Sequence, residues 1–292
     1  MKRLTFFVLL ALFLGLVTGC STDISGYQVA ATTLPVYEFT TLLCENTNIS
    51  VGRLVTESVS CLHDYTLQVS QMRMIESAEI VVISGAGLEE FLEDALDAAH
   101  YLIDASENTH IHTSEHNHDH SDHSHNHNKD PHIWLSPENA KVMAQNICAG
   151  LSKHYPEHAS TFAANLKKLI IRLDALHTYG TETLSQLSCR EMITFHDGFA
   201  YFAESFRLTI LEAVEEESGS EASAADLKML IGQLKAHALP AIFTEVNGNV
   251  SAADIISTET GVPIYPLDMA MSGESYFDAM YYNINTIEEA LG

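Results

Sequence analysis

Residues 156–187, P-E-H-A-S-T-F-A-A-N-L-K-K-L-I-I-R-L-D-A-L-H-T-Y-G-T-E-T-L-S-Q-L, decide the fold. Phe162, Leu166, Leu169, Leu173 and Leu176 recur at steps of four, three, four and three, which lays one apolar stripe along a helix. Around thirty residues make about 45 Å of helix, more than one compact lobe needs. The stretch therefore reads as a spine joining two lobes; the other reading is an ordinary surface helix interrupted at Gly180.

Working outward, both flanks alternate short β-branched runs with longer helical patterns. Strands are expected at 28–32, 49–55, 80–84 and 101–104 before the spine, and at 192–195, 208–214, 241–246 and 263–267 after it. Helices are expected at 36–45, 67–77, 88–99, 198–205, 222–237, 250–260 and 275–291. A further helix starts with Ser136 as N-cap and Pro137 in its first turn and should end near Gly150. The fold class is α/β: two lobes, each with a mainly parallel four-stranded sheet flanked by helices, joined by the spine helix. The domain reading is a leader at 1–19, a tether at 20–27, an N-terminal lobe at 28–154, a linking helix at 155–187 and a C-terminal lobe at 188–292. Residues 215–221, E-E-E-S-G-S-E, read as a solvated acidic loop.

Between strand and helix in the first half, residues 109–129 hold a histidine-rich insertion. His110, His112, His116, His118, His120, His123, His125 and His127 are eight of the chain's 16 histidines. Imidazoles alternating with Asn, Asp and Ser offer no apolar face, so the segment should be a solvated loop of borderline nitrogen ligands suited to a transition metal. It is expected to collect zinc weakly, and deleting 109–128 should leave one tight site behind.

Lys2 and Arg3 precede an apolar run of about fourteen residues, short of the roughly twenty a membrane span needs, so the N-terminus reads as a secretory leader. Val17-Thr18-Gly19-Cys20 resembles a bacterial lipobox, which implies cleavage before Cys20, lipidation of its sulfur and an extracytoplasmic chain anchored to the membrane. Without the leader, 12 basic residues face 39 acidic ones, a formal charge of −27. That balance excludes nucleic acid and favours cations. Cys44, Cys61, Cys148 and Cys189 read as structural, with one or two disulfides allowed and the pairing open.

In open parallel sheets, ligands bind beyond the carboxyl ends of strands. Four residues meet that condition: His63 after the second strand, His132 after the fourth, His196 at the end of the fifth and Asp268 at the end of the eighth. Three imidazoles and one carboxylate suit four-coordinate zinc, whereas manganese is expected to take more oxygen. Glu245 reads as a carboxylate that orients an imidazole, as a substitute ligand or as a strand cap, and Asp197 is read the same way.

The segments Asp130-Pro131-His132-Ile133-Trp134, Phe195-His196-Asp197-Gly198-Phe199-Ala200-Tyr201-Phe202, Ala241-Ile242-Phe243-Thr244-Glu245 and Gly261-Val262-Pro263-Ile264-Tyr265-Pro266-Leu267-Asp268 give the chain its likeness to a known family. Ser84-Gly85-Ala86-Gly87-Leu88-Glu89 adds to it. The chain resembles the metal-binding receptor lipoproteins of bacterial ABC importers that carry zinc or manganese, over nearly the whole mature chain. The resemblance implies His63, His132, His196 and Asp268 as the ligand set and, with histidine at the third position, zinc in preference to manganese. Around the first ligand the chain departs from the family's proline-rich turn, reading Leu62-His63-Asp64-Tyr65-Thr66, so Asp64 or Glu57 stand as alternative donors there.

The resemblance further implies a monomer that delivers zinc, or alternatively manganese, to a membrane permease driven by an ATPase. Imidazoles bind metal only unprotonated, so affinity should fall as pH drops through about 6.5. The spine should limit hinge opening, leaving release to small lobe shifts. A zinc hydrolase is the rival reading; the chain lacks H-E-x-x-H, and no general base is in evidence.

Overall fold

The computed structural model describes residues 26–57, 62, 65–113, 129–215 and 223–292. The leader, Cys20, Cys61, His63, Asp64, the insertion histidines from His116 to His127 and most of the acidic loop lie outside the described residues.

The first half runs β1 (Val29–Ala31), α1 (Leu34–Leu43), β2 (Val51–Arg53), α2 (Val69–Ser77), β3 (Ile80–Ile83), α3 (Glu93–Leu96) and β4 (Leu102–Asp104). Helices α4 (Pro137–His154) and α5 (Ala159–Thr183) follow. The second half runs β5 (Glu191–His196), α6 (Ala200–Phe206), β6 (Thr209–Glu215), α7 (Ala224–His237), β7 (Ile242–Glu245), α8 (Ser251–Thr260), β8 (Ile264–Leu267) and α9 (Tyr276–Leu291). The strands form two four-stranded sheets, ordered β2-β1-β3-β4 and β6-β5-β7-β8, parallel throughout.

Alternation along the strands sorts their side chains. Val29, Ala31, Ile80 and Val82 face the central core, while Ala30, Val81 and Ile83 join Leu54 and Ile75 on the opposite side. Both faces are covered, which is why these strands read as continuous apolar runs. In the second sheet Ile193, Phe195 and Ile242 pack under α7 and α8 with Leu230, Leu234 and Ile256. The α5 stripe residues Phe162, Leu169, Leu173 and Leu176 belong to the same apolar cluster as Val29 and Phe243, so one core runs through both halves.

Polar bonds also cross between the halves. The Trp134 indole N–H donates to the Met269 carbonyl at 2.7 Å and the Tyr276 hydroxyl donates to the Trp134 carbonyl at 2.8 Å, both buried. The Tyr276 backbone N–H donates to the Glu38 carboxylate at 2.6 Å, and Arg172 lies 3.9 Å over the Phe277 ring.

The expected spine is continuous, and two other helices depart from the sequence reading. Helix α5 runs unbroken through Gly180, and at 25 residues it spans about 38 Å, with 3₁₀ turns extending it at each end. Helix α4 passes Gly150 and ends at His154, two residues before Pro156. Gly150 is an approach point rather than a stop, since a Cβ there would lie 2.5 Å from Ile103 Cδ1 on β4. The expected helix at 88–99 shrinks to a 3₁₀ turn over Glu90–Leu92 followed by the four-residue α3. Gly85, Ala86 and Gly87 all take positive φ, and Glu89 is drawn to the end of β3 by Ser84 N–H, Gly85 N–H and the Thr32 hydroxyl, at 2.7, 2.9 and 2.6 Å. The expected caps are present: Ser136 accepts from Asn139 N–H with Pro137 in the first turn.

Among the described residues Cys44, Cys148 and Cys189 are free thiols, so no disulfide forms between them. Burial pushes the Cys44 thiol up to about 12, which keeps it protonated and inert. Among the described residues no helix is long and apolar enough to cross a membrane.

Candidate metal centre

Register places the second half's polar residues together. Thr194 on β5 pairs with Phe243 on β7, so His196 and Glu245 sit two residues further along adjacent strands. Glu245 in turn pairs with Leu267 on β8, the residue before Asp268. Three neighbouring parallel strands therefore end in His196, Glu245 and Asp268 on one edge.

His132 arrives from the first half on a tight turn. Ile133 N–H donates to Pro131 O at 2.8 Å and Leu135 N–H donates to His132 O at 3.1 Å, and Trp134 is fully buried behind it. Asp130 Oδ1 accepts from both the His132 backbone N–H, at 2.9 Å, and its ring Nδ1, at 2.8 Å. A carboxylate only accepts, so the ring proton belongs on Nδ1 and the Nε2 lone pair is turned outward. That lone pair meets His196, whose Nε2 lies 3.4 Å from His132 Nε2, with the rings 87° apart. Two nitrogens bound to one tetrahedral zinc at ~2.05 Å would be separated by ~3.4 Å.

On its far side His196 Nδ1 lies 2.9 Å from Glu245 Oε1. The contact is of ion-pair length but lacks hydrogen-bond alignment, and among the described residues Glu245 Oε1 is buried without a donor. A buried carboxylate in that state favours a cation nearby. Burial raises the Asp268 carboxyl above the usual carboxylate range, backbone donation from Ala270 opposes the rise, and the charge on Glu245 adds to it.

The pair is tighter than the full set. Asp268 Oδ1 accepts from Ala270 N–H at 2.8 Å, and Asn283 holds the Asp268 backbone through 2.7 and 2.6 Å bonds, so the main chain and one carboxylate oxygen are fixed by the turn. Among the described residues it does not join His132 and His196 in a three-ligand group within 4.8 Å. Glu57 is engaged elsewhere, accepting from Tyr65 OH at 2.6 Å and Gln68 Nε2 at 2.9 Å. Asp197 is exposed. His110 and His112 lie beside Glu204.

Sequence reasoning missed three supporting residues. Asp130 was legible as the acid two places before His132. Gly198 had a weaker signal, its place in H-D-G-F: a Cβ there would lie 2.7 Å from His196 Cδ2, 3.1 Å from His132 Cε1 and 2.6 Å from Met269 Cε. Asn283, distant in sequence on α9, had none.

Two parallel-sheet lobes with imidazoles meeting between them define a metal-binding receptor. Residues 29–290 match the family described as zinc-uptake complex component A, periplasmic (ZnuA), and the chain belongs to that family. It is a family of substrate-binding receptors for ABC importers, not of enzymes. The manganese ABC transporter substrate-binding lipoprotein ScaA of Streptococcus gordonii is 25% identical over 309 residues, covering 100% of this chain and 99% of its own. The zinc-binding lipoprotein AdcA of Streptococcus pneumoniae serotype 4 is 28% identical over 286 residues, covering 90% of this chain and 55% of its own. The crystal structure of ZnuA superposes with a TM-score of 0.78 at 26% identity, covering 90% of this chain and 98% of the other.

Proposed function

We propose that the chain is an extracytoplasmic zinc receptor that binds its ion through His132, His196, Asp268 and His63, and hands it to the permease of an ABC importer with its ATPase. The observation behind this reading is the Nε2 pair at 3.4 Å, each imidazole backed on Nδ1 by a separate carboxylate. Nitrogen-rich ligation favours zinc over manganese, which prefers more oxygen. The receptor acts as a monomer tethered through lipidated Cys20, its lobes 28–154 and 188–292 joined by residues 155–187. The shared core and the Trp134 bonds across the halves support small shifts on release rather than a wide hinge.

The test is competition. Crystals of the apo protein grown with equimolar zinc and manganese, measured at both absorption edges, should show zinc anomalous density between His132 and His196. Manganese density there, with zinc present, overturns the assignment of the metal; density at neither edge overturns the site.

A further inference from the structure

The segment that carries Asp268 is seated on the opposite half of the molecule. Residues 268–275 join β8 to α9, and three alternate carbonyls along them accept hydrogen bonds from the first half. Trp134 Nε1 donates to Met269 O at 2.7 Å. Leu34 N–H, in the first turn of α1 and so without a partner inside its own helix, donates to Met271 O at 3.2 Å. Arg53 Nη1, from the last residue of β2, donates to Gly273 O at 2.8 Å. Just beyond, Glu38 on α1 accepts from Tyr276 N–H at 2.6 Å.

This seat reaches the Asp268 carboxylate. Ala270 N–H, which donates to Asp268 Oδ1 at 2.8 Å, belongs to the residue between the two carbonyls held by Trp134 and Leu34. Ala270 and Gly273 take φ of 53° and 95°, and left-handed backbone at a residue with a side chain persists where surrounding contacts impose it. Here the first half supplies those contacts. Asp268 thus ends a strand of one half, while the turn that fixes its Oδ1 is held by the other.

The three donors are not equivalent. Trp134 and Leu34 are fully buried in the core, whereas the Arg53 bond is exposed, its guanidinium 5.7 Å from the centre of the Tyr37 ring. Arg53 is the donor that can be removed with the core intact. We propose that Arg53 is a positioning residue for metal capture, a latch that pins the far end of residues 268–275 on the first half and so keeps the Asp268 carboxylate at the ion. This inference rests on the reading of Asp268 as a ligand and adds the residue that holds it in place. The sign of the effect separates a latch from a mere charge: a fixed positive charge repels an incoming cation, so removing charge alone would tighten binding, whereas removing a latch weakens it.

The experiment measures zinc affinity of the mature chain by competition with chelators of graded strength. Arg53→Met keeps the length of the stem and removes donor and charge; it should weaken zinc binding about three- to tenfold, part of the worth of a hydrogen bond from a charged donor. Arg53→Lys, which keeps the charge and a donor, should recover most of the loss. In an Asp268→Ala background Arg53→Met should have no further effect, an outcome that a general loss of stability would not produce. Affinity unchanged or raised by Arg53→Met, or lowered equally with and without Asp268, overturns the latch, and the ligand reading stands if Asp268→Ala alone weakens binding. Wild-type affinity in Asp268→Ala overturns the ligand reading, and the latch with it.

Discussion

His132 and His196 point their Nε2 atoms at each other across 3.4 Å while their Nδ1 atoms turn away to different carboxylates, Asp130 and Glu245. Two lone pairs so placed repel unless a cation or a proton sits between them. The packing that imposes the arrangement therefore favours ion capture, and its supports are open to test.

The two carboxylates behind the imidazoles should respond differently to neutralisation. Asp130→Asn should weaken zinc binding by about 10–100-fold, the usual cost of losing the partner that orients a metal-bound histidine, and Glu245→Gln should weaken it by removing the negative charge 2.9 Å from His196 Nδ1. Glu245→Gln should also raise the melting temperature of the apo protein, because it removes a buried charge lacking a donor and relieves its repulsion of Asp268. Chelator competition and thermal denaturation of the apo form read the two effects. An apo protein destabilised by Glu245→Gln would mean that the charge is compensated as it stands.

Gly198→Ala should lower zinc affinity about tenfold or more without unfolding the protein. The added methyl would press on His196 Cδ2, His132 Cε1 and Met269 Cε, and Met269 is the flexible neighbour that can yield. Affinity unchanged in the same chelator assay would show that the imidazole pair tolerates displacement.

At Gly180 two effects oppose each other. In an exposed helix Gly→Ala stabilises by about 1 kcal/mol. Here the Cβ would run into the Phe206 ring and lie 2.9 Å from Ile284 Cδ1, and overpacking costs about 1–3 kcal/mol. Overpacking should win, so Gly180→Ala is expected to lower stability in urea, whereas a gain would show that α5 can shift against α6 and α9.

Glu89 should make stability depend on pH. Full burial outweighs its three donors and raises its carboxyl from 4.5 to about 7. Between those values the folded chain binds more protons than the unfolded one, so this group's contribution to stability rises as pH falls from 7 toward 4.5, and its cost is fully present above pH 7. Urea unfolding of the wild type and of Glu89→Gln at pH 8 and 5.5 should show the variant missing that increment; equal differences between the two pH values would mean that Glu89 does not titrate in this range.

Much of the fold was legible because its signals are local. The strand runs, the Ser136 cap and the stripe along α5 each depend on a few neighbouring residues, and the observed elements fall close to the expected spans. Glycine misled at Gly150, which looks like a stop yet meets a partner distant in sequence, Ile103, whereas the spine runs on through Gly180 as expected.

The sequence by itself determined the alternation, the metal-seeking composition and the strand-end positions of His132, His196 and Asp268. Only the tertiary structure decided that His132 and His196 stand 3.4 Å apart, that Asp268 Oδ1 accepts from Ala270 N–H, and that His110 and His112 meet Glu204. The division has a physical cause. Hydrophobic period and capping act within a few residues, whereas a ligand set is assembled by strand register and packing between halves, and those distances are set by contacts many residues apart in the chain.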